Sequence, residues 1–201
     1  MRVFIAVSVP NAIRGAIARA QEELRRAVSD DEIRWAKPEQ FHLTLKFLGN
    51  VDDSRVDELK DAVRKVSEGF ASLSLRAAGI GFFPQGRSPR VVWAGVDESN
   101  NRLESLWKAL ESAMRPFNNE KAEQNFNGHI TLARVGRLPR AHAEALVKAA
   151  NRFEKMTFGE WTAGHVELMR SELSPQGARH TVLAALLLGG SSGVMENGVM
   201  E

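Results

Sequence analysis

The chain has neither cysteine nor tyrosine among its 201 residues. Without thiols it has no disulfide framework, no thiolate nucleophile and no cysteine-ligated metal, a usage that fits a reducing compartment. No stretch approaches the ~18 apolar residues of a membrane span. The apolar N-terminal run, Val3 to Val9, is too short for a secretory signal and gives way at once to polar, helix-like sequence. Excess charge is also scarce. With 27 basic against 25 acidic residues the formal charge is only +2, so any recognition of anions must be local. A cytoplasmic protein with no membrane association is expected.

What is present is an ordinary globular composition, 43% hydrophobic and 26% charged, in a chain long enough for a sizeable core. Its organising stretch is Phe41-His42-Leu43-Thr44-Leu45-Lys46-Phe47-Leu48-Gly49. Strict strand alternation puts Leu43, Leu45 and Phe47 on one face and His42, Thr44 and Lys46 on the other. The device returns as Gly128-His129-Ile130-Thr131-Leu132-Ala133-Arg134-Val135-Gly136. Aligned on the histidines, both copies carry Thr at plus two, Leu at plus three and Gly at plus seven. Composition alone gives two His-x-Thr matches a chance of about 0.006.

Around these strands the periodicity alternates. Arg2 to Val9 reads as a buried strand, and Ile13, Ile17, Ala20, Leu24 and Val28 as one face of a helix. A short strand spans 33–36. Asp52-Asp53 invites a reading as paired catalytic carboxylates, but fits better as the cap of a helix carrying Val56, Leu59, Val63 and Val66. Two strands, 73–80 and 90–96, flank a Gly/Pro/Arg-containing loop at 81–89, which has no phosphate-loop pattern and reads as a hairpin connection. A third helix carries Leu103, Leu106, Trp107, Leu110 and Met114, and a fourth opens at Pro139. Two late strands, about 157–170 and 178–188, close the core, and 189–201 reads as a frayed tail. Each half of the chain supplies a His strand and two helices. The expectation is α+β: two similar antiparallel-sheet lobes with outer helices, forming one bilobal domain over 1–188, with the histidines meeting in a central cleft.

Two imidazoles flanking a phosphorus can divide the work of hydrolysis, one taking a proton from water and one giving a proton to the leaving oxygen. The hydroxyls of Thr44 and Thr131 can meanwhile bind phosphoryl oxygens. Those residues, with Trp35-x-x-Pro38 before the first motif and Pro89-Arg90-Val91-Val92-Trp93-Ala94-Gly95 between the two, resemble the two-histidine (2H) phosphoesterase superfamily. More narrowly they resemble its RNA 2′,3′-cyclic phosphodiesterase (2′-5′ RNA ligase-like) branch. The resemblance implies a bilobal, metal-free hydrolase without cofactors that opens 2′,3′-cyclic phosphate ends of RNA, including tRNA fragments, to 2′-phosphates. It implies His42 as acid, His129 as base, Thr44 and Thr131 as phosphate ligands and Arg134 as a substrate contact, in a monomer.

Alternatives stand beside this reading. An RNA-end-binding or ligating protein would use the same cleft, a related phosphodiesterase would take small cyclic nucleotides, and a metal enzyme would use the histidines as ligands. Parity also raises an objection: at an odd offset from His129, Arg134 belongs on the face of Ile130 and Leu132 unless the strand bulges. Lys46 has favourable parity. His142 and His165 read as surface or packing residues. His180 stands where relatives carry an aromatic, often Tyr. Trp35, Trp93, Trp107 and Trp161 read as core.

Overall fold

The structure is a computed structural model describing residues 1–86, 88–118, 125–174 and 177–189, with the side chains of 173–177 left aside. Its strands are β1 (Arg2–Ser8), β2 (Ile33–Trp35), β3 (His42–Asn50), β4 (Leu73–Phe83), β5 (Val91–Asp97), β6 (His129–Val135), β7 (Thr157–Ala163), β8 (His165–Ser174) and β9 (Gly177–Leu187). Its helices are α1 (Asn11–Ala27), α2 (Val56–Glu68), α3 (Arg102–Ala113) and α4 (Arg140–Ala150). Among the described residues no helix is long and apolar enough to cross a membrane. Asp52 caps a 3₁₀ turn, Asp53–Arg55, that leads into α2, accepting the Ser54 N–H at 2.9 Å, while α2 itself has no side-chain cap.

All pairings are antiparallel, and the strands run β7-β4-β5-β6-β3-β1-β8-β9, with β2 added beside β6. One residue pair, Leu43 with Ile130, joins β3 to β6. The sheet therefore divides there into two lobes that splay apart. The β6 lobe carries α1 and α4, with α1 packed on β7; the β3 lobe carries α2 and α3, packed on β3, β8 and β9. Two antiparallel lobes with outer helices are thus present, but neither lobe is one half of the chain.

The expected single strand at 157–170 is two strands, broken at Gly164. β7 pairs with β4 at one end of the sheet, whereas β8 pairs with β1 and β9 near the other. A flat sheet would hold β7 and β8 about 29 Å apart across six strand spacings. A single intervening residue spans only about 7 Å. The sheet must therefore curl, which makes one side concave.

The core lies under the helices. Ile13, Ile17, Ala20 and Leu24 of α1 and Leu59 and Val63 of α2 are buried at the spacing their periodicity predicts. Leu43 and Ile130 have no exposed surface. Burying each contributes about 1.5–3 kcal/mol, and a one-residue slip would turn both outward and send the histidines into the core. The apolar residues of β3 and β6 thus fix which side the imidazoles face.

Candidate active site

The one β3–β6 pair sets the geometry. Leu43 opposite Ile130 puts His42 level with Thr131 and Thr44 level with His129, all four on the face away from the helices. The two motifs are related by a local two-fold axis through that pair. Each imidazole is anchored alike: His42 Nδ1 lies 2.6 Å from the Gln40 carbonyl and His129 Nδ1 lies 2.7 Å from the Asn127 carbonyl, both two residues upstream. A carbonyl only accepts, so Nδ1 carries the proton and Nε2 presents a lone pair. Neither Nε2 has a partner among the described residues, and both open to solvent; the threonine hydroxyls are likewise unpartnered there.

Beyond the threonines both strands bulge at the same place. Ala6 pairs with Thr44 but Ile5 with Lys46, so Leu45 is an extra residue in β3. Trp93 pairs with Thr131 but Val92 with Ala133, so Leu132 is extra in β6. The bulged Leu132 carbonyl is satisfied by the Ala36 N–H at 2.8 Å and by the buried Gln21 amide of α1 at 2.9 Å. A bulge reverses alternation. Arg134 therefore lies exposed on the histidine face, which removes the parity objection. The same reversal corrects the reading of β3. Lys46 is 6% exposed and turned into the core, where its Nζ meets the Glu111 carboxylate at 2.6 Å, while Phe47 is 48% exposed on the open face.

Aromatic rings close around each imidazole. Phe4 lies 4.9 Å from His42 between ring centroids, and Phe83 meets His129 edge-on at 5.1 Å. Phe83 also packs on Trp93 at 5.2 Å. The Trp93 indole lies over Gly81, where a Cβ would sit 2.3 Å from the ring. So the stretch read as a loop at 81–89 begins as strand, its Phe83 reaches the site, and its Arg87 lies outside the described residues. His180 contacts His42 edge-on at 5.4 Å and Phe4 at 5.0 Å. Its Nδ1 is buried without a partner and its Nε2 is open. Sequence reasoning gave His180 and Trp93 bland readings because only long-range pairing brings them here. His142 pairs with Asp30 at 2.6 Å, and His165 lies beside Glu167 at 3.3 Å, with neither ring in contact with the imidazole cluster.

Burial pushes the His42 imidazole down to about 4, and the charges of His180 and His129 act the same way, against the Gln40 hydrogen bond and Glu167. Glu167 stands in register with Ala6, itself in register with Thr44, which puts its carboxylate on the same face. Burial also lowers His180. In the free protein His42 is thus neutral near pH 7.

A pair of anchored imidazoles with open Nε2 atoms, facing each other across hydroxyls, can carry a proton in and a proton out at one bound phosphoryl group. The model of the LigT-like phosphoesterases matches residues 7–93 and 95–180, with one His-x-Thr motif in each stretch. The chain belongs to this family. Among relatives of this LigT-like phosphoesterase, an RNA 2′,3′-cyclic phosphodiesterase of Methanothermobacter thermautotrophicus is 30% identical over 90% of this chain and 95% of its own. One of Thermus thermophilus is 32% identical over 96% of this chain and 93% of its own. The crystal structure of TT0787 of Thermus thermophilus superposes with a TM-score of 0.76 at 30% identity, covering 96% of this chain and all of that one.

Proposed function

We propose that this LigT-like phosphoesterase hydrolyses the 2′,3′-cyclic phosphate at the 3′ end of RNA, tRNA fragments included, as a metal-independent two-histidine enzyme. The observation that carries the reading is the register of β3 against β6, which sets one His-x-Thr motif level with the other on the same open face. Several relatives bear the name of that activity. Water attacks phosphorus as His129 Nε2 takes its proton; the P–O3′ bond breaks as His42 Nε2–H gives its proton to O3′. The products are a 2′-phosphomonoester and a free 3′-hydroxyl. Thr44 and Thr131 donate to the non-bridging oxygens, and Arg134 holds the substrate's charge from the β6 side.

Because His42 is neutral in the free protein, its role as acid depends on the substrate. A bound phosphodiester anion beside the imidazole favours the protonated form and raises its pKa towards neutrality. The domain over 1–188 acts as a monomer in the cytoplasm. Of the tail at 189–201, all but Gly189 lies outside the described residues.

Phosphorus NMR on a short RNA with a cyclic end tests the reaction. The expected product is the 2′-phosphate, formed at full rate in excess chelator. A 3′-phosphate would reverse which oxygen faces His42. Loss of turnover in chelator, restored by a divalent metal, would overturn metal independence. Reaction on small cyclic nucleotides alone would move the substrate away from RNA.

A further inference from the structure

β2 joins β6 on the same edge as β3, but further along, where β3 has already diverged. In that pairing Arg34 stands directly opposite Arg134. Ile33 and Val135, the neighbouring pair, are both buried in the core, so the two arginines share the opposite, open face with Thr131 and His129. Both are exposed, and neither has an ion-pair partner among the described residues. Like charges directly opposite each other in a sheet are destabilising. The Glu32 carboxylate, two residues before Arg34, accepts from the Arg137 backbone N–H at 3.2 Å rather than from either guanidinium. Arg90, which precedes Val91, the β5 partner of Arg134, donates its guanidinium to the Gly136 carbonyl at 2.9 Å. In a chain of net charge +2, the two facing guanidiniums form a local cationic pair with no ion-pair partner among the described residues.

Its position gives the ligand. Along β6, Arg134 lies roughly 7–10 Å beyond Thr131, allowing for the bulge. In RNA ending in a cyclic phosphate, the next anion is the phosphate on the 5′ side of the terminal nucleoside. Resting on the reaction proposed above, we infer that Arg34 and Arg134 form a second phosphate subsite that receives this 5′-side phosphodiester, so that the substrate class is an oligoribonucleotide rather than a nucleoside cyclic phosphate. Paired planar guanidiniums suit the task, since each can grip phosphoryl oxygens with two parallel N–H donors.

Two measurements on the full chain test this. The first compares a nucleoside 2′,3′-cyclic phosphate, which has no second phosphate, with a trinucleotide bearing the same cyclic end. Arg34→Ala should lower kcat/KM on the trinucleotide about fivefold or more beyond any loss on the mononucleotide. Equal losses on both substrates would overturn the subsite. The second measures binding of a dye-labelled, 3′-phosphorylated single-stranded hexaribonucleotide over a salt series. Removing one phosphate contact should reduce the slope of log affinity against log salt by about 0.7, and Arg34→Lys should keep most of the slope. A slope and affinity equal to the wild type in Arg34→Ala would also overturn it. If the wild type turned over neither substrate, the reaction proposed above would fail, and the salt series would still decide the subsite. Because Arg34 is exposed, an unchanged thermal melt checks that the variant folds.

Discussion

Strand alternation puts an ammonium beside the first His-x-Thr motif, and the structure buries it against α3; the difference is measurable. Lys46 and Glu111 form an ion pair at 2.6 Å with side-chain exposures of 6% and 10%. Lys46→Ala removes one partner and leaves a carboxylate uncompensated in the core, which costs about 3–5 kcal/mol. For a chain of this size each kcal/mol lowers Tm by about 2–4 °C, so a fall of roughly 6–20 °C is expected in a thermal melt. Replacing both partners together, Lys46→Met with Glu111→Leu, removes the charges and keeps the volume. That double variant should melt near the wild type or above it. Turnover per folded molecule should stay within about threefold of the wild type in both proteins, a spread of well under 1 kcal/mol in barrier height. Loss of turnover in Lys46→Ala with an unchanged Tm would place the ammonium in the cleft and refute the bulge at Leu45. An unchanged Tm with unchanged turnover would refute the buried pair.

Two further expectations follow from the site. With His42 held down at about 4 in the free protein, the acid limb of kcat/KM should lie near that value, where His42 takes up its proton before substrate binds. The limb of kcat should sit higher, since the bound anion raises the group, and a kcat/KM limb at or above 6.5 would contradict a buried, neutral His42. Gly81→Ala places a Cβ 2.3 Å from the Trp93 ring, displacing the rings that brace His129. A loss of about 1–3 kcal/mol in stability and a lower kcat are expected, and a neutral result in melt and turnover would show the indole free to move.

How much of this was legible in the sequence depends on how local the cause is. The alternation of His42 to Leu45 and of His129 to Leu132 is written in side-chain polarity, and so were the strands, the helices and the match between the motifs. The bulges were not. Leu45 and Leu132 are ordinary strand residues, and what makes them extra is the register of β1 and β5 and, at Leu132, a buried glutamine more than a hundred residues away in the chain. Just beyond those two residues parity reverses, until a second irregularity at Leu48 restores it in β3. Lys46 goes inward, Phe47 outward, and Arg134 joins the histidine face. The strand break at Gly164 sits inside a run that reads as continuously extended, and it sends the chain from one lobe to the other. His180, Phe4 and Phe83 reach the imidazoles from separate strands. No spacing along the chain signals such a meeting.

If His42 and His129 carry protons in the same reaction, single-residue replacement reveals it. Each of His42→Ala and His129→Ala should lower kcat on a cyclic-ended oligonucleotide by about two orders of magnitude or more. The double variant should be little worse than the weaker single one, because the groups act as a unit. Substrate binding should persist through the threonines and arginines. Near wild-type kcat in both single variants, with the protein folded and the substrate bound, would contradict the two-histidine mechanism.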